Sequence, residues 1–274
     1  MLKRLLFRTL THIALAFGAL IVLIPMTWCL ISSFKPLGDI FIFPVQWIPE
    51  NFSMDNYVNG WRAGNFTRYF LNSGFVSVVC TLSILFLSAL TGFAMNFYRF
   101  VYRKALFAAV IVTMVIPIQV RVIPLYLIVK GFGWLDTYLA LIMPLLITPI
   151  GIFIMTQFVR TIPKELVSVA RIDGCGEFGI FLRIILPLCR PALSALAIIT
   201  FMNVWNDYFW PLVCISDESM MTLPLGLATF QDHYYIEYGQ LFALSLLVIL
   251  PVLLVFLFFQ KHFIRSVALS GMKA

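Results

Sequence analysis

Charge is scarce in this sequence, and the scarcity decides its class. Asp, Glu, Lys and Arg make up 11% of its 274 residues, while apolar types reach 62%. An average soluble domain holds about 25% charged and 45–50% apolar residues, so a soluble fold is excluded and a polytopic membrane protein expected. Mean hydropathy, +0.99, agrees. Histidine is nearly absent: His12, His233 and His262 stand far apart. No Gly-rich phosphate loop occurs, so the chain is not expected to hydrolyse ATP itself, and no convergent acid–base pair marks an enzyme. The five cysteines include no CxxC spacing, which argues against a disulfide framework or a metal site. Internal repeats and low-complexity tracts are also missing. The net charge of +7 comes with no base-stacking or groove-reading element, so nucleic acid is not an expected partner.

What is present is a series of apolar runs. At about 20 residues per crossing, the sequence predicts spans over 10–31, 69–96, 105–118, 137–158, 191–213 and 240–259. The first follows Lys3, Arg4 and Arg8; it is too long for a cleaved signal and has no small-x-small site after it. The stretch 32–68, rich in Pro, Asn, Gly and Trp, reads as an interfacial loop, and 215–239 as a second loop on the same side. Pro117 and Pro124 predict a broken helix after the third span, with a partial helix over 125–134; Pro144 and Pro149 interrupt the fourth. Such breaks at membrane depth need protein or a wet cavity to satisfy the backbone.

Basic residues orient the chain. With the N-terminus inside, 14 of the 19 Lys and Arg fall in cytoplasmic segments and 5 outside, as the positive-inside rule requires. The expectation is one all-α transmembrane domain over 1–274, with six spans and both termini cytoplasmic.

The longest charged segment between two very apolar ones is 161–187, TIPKELVSVARIDGCGEFGIFLRIILP, between spans four and five. Pro163 suits a helix start, Glu165 complements the dipole there, and Gly174 can take the left-handed conformation that ends a helix. Leu166, Val169, Ala170 and Asp173 recur at i, i+3, i+4 and i+7, predicting one narrow apolar face. Phe178, Phe181, Ile184 and Ile185 begin a second stripe. A short exposed helix of this kind fits a groove on another protein.

This stretch also resembles the cytoplasmic loop of ABC-importer permeases. That family's pattern is Glu-Ala-Ala, three residues, Gly, nine residues, Ile-x-Leu-Pro. Here Ser168-Val169-Ala170 is followed by Gly174 and then Ile184-Ile185-Leu186-Pro187. Ile162, Pro163, Glu165, Leu166, Ala170, Arg171, Ile172, Asp173 and Gly174 match the longer form of the carbohydrate-uptake (maltose-type, second permease) branch; Ser168 and Val169 depart from it. The resemblance implies a type I permease fold in a bacterial cytoplasmic membrane. It implies a second homologous permease, a cytoplasmic ATPase dimer holding ATP and Mg, and an extracytoplasmic solute-binding protein. No cofactor is expected on this chain. Glu165, Leu166, Val169, Ala170, Asp173, Gly174 and Pro187 become the residues expected to couple to the ATPase.

Two further clusters are candidates for the translocation path. Asn203, Asn206 and Asp207 stand at i, i+3 and i+4 and would share a helix face; an ionisable group in a span is a functional hypothesis, and bonding between helices is the other reading. Their run, Trp205-Asn206-Asp207-Tyr208-Phe209-Trp210-Pro211, is similar to sugar-importer permeases. Gln119 and Arg121 lie in a second family-like run; Arg121 either meets an anionic substrate or snorkels to the interface. The tail 260–274 resembles a segment that enters the ATPase dimer in maltose-type systems, with a solvated tail as the alternative. The expected cargo is a sugar or oligosaccharide. A phosphorylated polyol such as glycerol phosphate, an ion-coupled secondary transporter and a membrane scaffold are the rivals.

Overall fold

A computed structural model of the chain describes residues 2–233 and 237–271, with side chains described over 6–229 and 237–260. No strand occurs among the described residues. Four helices are long and apolar enough to cross a membrane, or up to six if each of two bent pairs is one span. The chain divides into two compact units, Met1–Phe66 with Gly226–Leu250 and Thr67–Leu225 with Pro251–Ala274.

The first unit opens with α1 (Leu2–Ser32). Leu6, Phe7, Leu10, Phe17 and Val22 on it are all more than 60% exposed, a surface suited to lipid or a partner helix rather than to water. Two helices, α2 (Leu37–Ile40) and α3 (Asp55–Ala63), lie in the expected loop. They are tied down by Asn56, whose Nδ2 donates to the Ser33 and Lys35 carbonyls at 2.9 and 2.7 Å. Lys35, in the same stretch, is fully buried, donates to the Gln46 carbonyl, and stands 4.6 Å from the centre of the Trp28 ring. A cation takes such a place when a π face and a carbonyl replace its water.

In the second unit, α4 (Phe66–Phe97) buries Asn72, Ser73, Ser77, Cys80 and Ser88 at 0–2% exposure, interleaved with Val76, Ile84, Ala89 and Phe93. Leu71, Phe75, Val78 and Leu82 face outward. Small and polar groups inside with aliphatic groups outside is the pattern of a helix packed in lipid. Next come α5 (Arg103–Val115) and α6 (Ile118–Gly131), bent by 106° at Ile116-Pro117. The expected break is there, but only one of the two prolines makes it. Pro124 lies within α6, where it supplies no N–H to the Val120 carbonyl one turn earlier.

The fourth span is α7 (Tyr138–Ile142), a 3₁₀ turn at Met143–Leu145 around Pro144, and α8 (Pro149–Val159). Thr148 restarts the helix, its Oγ1 accepting from Gly151 N at 3.3 Å. The backbones of α4 and α8 touch at Gly92: a Cβ there would lie 2.9 Å from the Met155 carbonyl. Beside that contact, Asn96 Nδ2 donates to the Gly92 and Thr156 carbonyls at 2.8 and 2.9 Å.

After α9 (Lys164–Ile172) and α10 (Glu177–Ile180) the chain widens into a π turn at Phe181–Ile185 before α11 (Leu186–Leu188). Pro187 is the cause. In a regular helix its ring meets the Arg183 carbonyl, and the wider turn, with Leu186 N–H on the Phe181 carbonyl, avoids this. A bend of 78° then leads into α12 (Arg190–Trp205). The remaining elements are α13 (Phe209–Cys214), α14 (Leu223–His233), which was expected to be loop, and α15 (Tyr238–Gly271). Within the first unit α3 meets the start of α15 through Gly239, where a Cβ would stand 2.6 Å from the Asn56 side chain. Beyond Gln260 the expected tail contact falls on side chains outside the described residues.

Candidate functional site

The helix of the charged loop is built as its ends dictate. Pro163 occupies the N-cap position (φ −57°, ψ 131°), one residue earlier than a first-turn proline, and Glu165 lies exposed in the first turn. At the other end Gly174 has φ +77°, Cys175 N–H reaches the Ala170 carbonyl at 2.9 Å, and Gly174 N–H reaches that of Arg171 at 3.1 Å. This pair of bonds is a Schellman closure. Asp173 is the exposed C-cap residue, its N–H on the Val169 carbonyl.

The buried face differs from expectation. Val167 (1% exposed) and Ala170 (5%) turn inward with Ile162, while Leu166 and Val169 are 43% and 56% exposed and Ile172 is 84% exposed. The predicted face joined Ala170 to Leu166 and Val169, and the tertiary packing divides them. A narrow inner edge seats α9 on its own unit, and an outer ridge at i, i+3 and i+6 stays exposed. Pro187 is exposed on the far side of the π turn.

A latch holds this loop to the end of α4. Arg171 grips Glu177 with two bonds, Nε to Oε1 at 2.7 Å and Nη2 to Oε2 at 3.1 Å. Tyr98 donates its hydroxyl to Glu177 Oε2 at 2.7 Å, and the guanidinium stands 5.8 Å from the Tyr98 ring centre. The Arg171 hydrogen bonds, and then that of Tyr98, hold the Glu177 carboxyl below its ordinary range. Sequence reasoning missed this group. Arg171 and Glu177 are six apart across a turn, not at helical pair spacing, and Tyr98 lies 79 residues from Glu177.

The second candidate cluster does not share a helix face. α12 ends at Trp205, Asn206 is its C-cap, and α13 starts at Phe209, so Asp207 lies in the break. Its Oδ1 accepts from Trp210 N at 3.3 Å, a capping contact that helps restart the helix. Asn206 Nδ2 bonds back to the Met202 carbonyl at 2.8 Å, and Asn203 is exposed. Gln119 and Arg121 are exposed in the first turn of α6, directly after the Pro117 bend. Both clusters therefore sit at helix breaks.

A chain of apolar helices with proline breaks and one amphipathic loop helix is the framework on which known proteins can be compared. The pattern of the binding-protein-dependent transport system inner membrane component matches residues 84–269. The chain belongs to that family. The arabinooligosaccharides transport system permease protein AraQ of Halalkalibacterium halodurans is 36% identical to the chain, with 96% of each covered. The diacetylchitobiose uptake system permease protein NgcG of Streptomyces coelicolor is 32% identical over 96% of this chain and 88% of its own. The sn-glycerol-3-phosphate transport system permease protein UgpE of Agrobacterium fabrum is 31% identical over 94% and 95%. In three dimensions the chain resembles one in a bacterial ABC transporter involved in the import of the acidic polysaccharide alginate, with a TM-score of 0.84, 21% identity, and 94% and 96% covered. The protein is thus a multi-pass permease of the ABC-importer type, a transport subunit, and the ion-coupled and scaffold readings are set aside.

Proposed function

We infer that this chain is one of two permease subunits of an ATP-driven importer for a sugar or oligosaccharide in a bacterial cytoplasmic membrane. Its six spans count each bent pair once, both termini are cytoplasmic, and a homologous permease completes the path. A dimer of ATPases, which holds the ATP and Mg, grips α9 from the cytosol, and an extracytoplasmic binding protein delivers the cargo. The observation that carries this reading is the loop helix itself: closed by Gly174, seated by Val167 and Ala170, and presenting Leu166, Val169 and Ile172 outward. Arabinooligosaccharides and diacetylchitobiose in the names of relatives support a saccharide cargo.

The energetics follow from differential binding. ATP shifts the transporter between inward- and outward-open states only by as much as it favours one over the other. A rigid α9, latched to α4 through Arg171, Glu177 and Tyr98, passes that preference to the spans. Asn203, Asn206, Asp207, Gln119 and Arg121, placed at helix breaks, are the residues proposed to line the path. A phosphorylated polyol is the second reading, favoured by the glycerol-phosphate relatives and by exposed Arg121. Ligand-stimulated ATPase activity of the reconstituted complex, screened against oligosaccharides and polyol phosphates with their binding proteins, decides between them. Stimulation by neither class would overturn both.

A further inference from the structure

A cavity of about 480 Å³ opens where the ends of α4 and α8 meet the start of α5, and four cations line it: Arg103, Lys104, Arg160 and Lys164. Among the described residues the one ion pair is Arg171–Glu177, so none of the four has a carboxylate within ion-pair distance. Three of them are badly placed for their own helices. Arg103 and Lys104 open α5, and Lys164 opens α9, where the helix dipole repels positive charge. Thr156 lines the same cavity; it is 8% exposed and its hydroxyl has no hydrogen-bond partner.

Asn96 and Gln157 add polar lining, and Phe97, Phe107, Val159 and Ile162 an apolar part; Phe107 stacks on Phe153, 6.1 Å between ring centres, joining α5 to α8. The site lies at the ends of three apolar helices, the depth at which a bilayer places its phosphates. We propose that this cavity binds the phosphate of an anionic phospholipid, with the headgroup among the four cations and the acyl chains along α5. Basic pockets between spans recognise lipid phosphates in this way. The bound lipid neutralises charge beside Lys164 and fixes the start of α9, so it stiffens the hinge by which that helix joins α8. The leaflet rests on the orientation given above; the binding itself does not.

The test uses the whole transporter complex. Wild type and the Arg103→Gln/Arg160→Gln variant are reconstituted in vesicles of phosphatidylcholine alone and of equal parts phosphatidylcholine and phosphatidylglycerol, then extracted, and retained lipid is counted by native mass spectrometry. The proposal expects wild type to retain phosphatidylglycerol and the variant to hold it roughly 30-fold more weakly, on the scale of two cations near a membrane surface. Arg103→Lys/Arg160→Lys, which keeps the charge, should retain it, and this separates lost binding from lost folding. Added inorganic phosphate should not displace the lipid. Equal retention by wild type and the Gln variant would overturn the proposal, as would displacement by phosphate, which marks a site for a soluble anion. Loss of the ATPase with lipid retention unchanged would also overturn it, by assigning the cations to an acidic segment of that partner. Because lipid retention is read without transport, failure here is distinct from failure of the importer reading.

Discussion

Two connecting segments of the same unit are built on opposite principles. The stretch 215–222 is stitched to its surroundings by buried polar bonds. Asn72 donates to the Ser219 and Met221 carbonyls at 3.0 and 2.9 Å and accepts from Tyr138 at 2.6 Å. Just past the end of the stretch Leu223 N donates to Ser73 in a buried bond, and on its outer side Asp217 N donates to Asp136 in an exposed one. The stretch 161–187 instead rests on a narrow apolar edge and one exposed latch, whose Arg171 and Glu177 side chains are 39% and 43% exposed. Buried bonds in low dielectric are costly to break, and exposed ones are not. The first segment therefore behaves as frame and the second as a handle that can shift without unfolding its unit.

The largest expected effect lies in the frame. Asn72→Ala removes three hydrogen bonds, a loss of about 2–4 kcal/mol at roughly 1 kcal/mol or more per bond. Thermal unfolding in detergent should show a clearly lower midpoint, and an unchanged one would erase the contrast. On the handle, Gly174→Val should cost about 1–2 kcal/mol, because an L-residue resists the left-handed region. Nothing lies within 4 Å of the added Cβ, so strain and not a clash is the cause. Uptake should fall sharply with expression nearly intact; full uptake would refute the coupling role.

The contrast also shows what the sequence could reveal. Helix ends are local, so Gly174 and the Pro117, Pro144 and Pro149 breaks were readable from residue type. Which face of α9 is buried is not local. Leu166 looked like an inner residue by spacing, yet packing under Ile162 selected Val167 and Ala170. Asp207 looked like one face of a continuous span, and the Asn206 break turned it into a cap. The latch was hidden because Tyr98 lies just past the end of α4, far away in sequence.

Smaller effects sharpen the same contrast. Glu177→Gln should lower the unfolding midpoint little, since an exposed pair is worth about 0.2–1 kcal/mol, but should reduce uptake per ATP hydrolysed if the latch passes motion to α4. Glu177 has a depressed folded value, so its contribution is complete above the ordinary carboxylate value of 4.5 and lost as pH falls through the lower folded value. Coupling measured from pH 7 to 5 should therefore be flat in the Glu177-dependent part. Asp207→Asn keeps a capping acceptor, so stability should be unchanged; altered transport kinetics would assign it to the path, and unaltered kinetics to the cap alone.

The most direct measurement uses Cys175, the one exposed member of the five cysteines, directly after Gly174. A membrane-impermeant maleimide is applied to right-side-out and inside-out vesicles, with and without the ATPase bound. The account predicts labelling of Cys175 in inside-out vesicles only, and protection when the ATPase is present. Labelling from the outer face, or equal labelling with and without the ATPase, would contradict it.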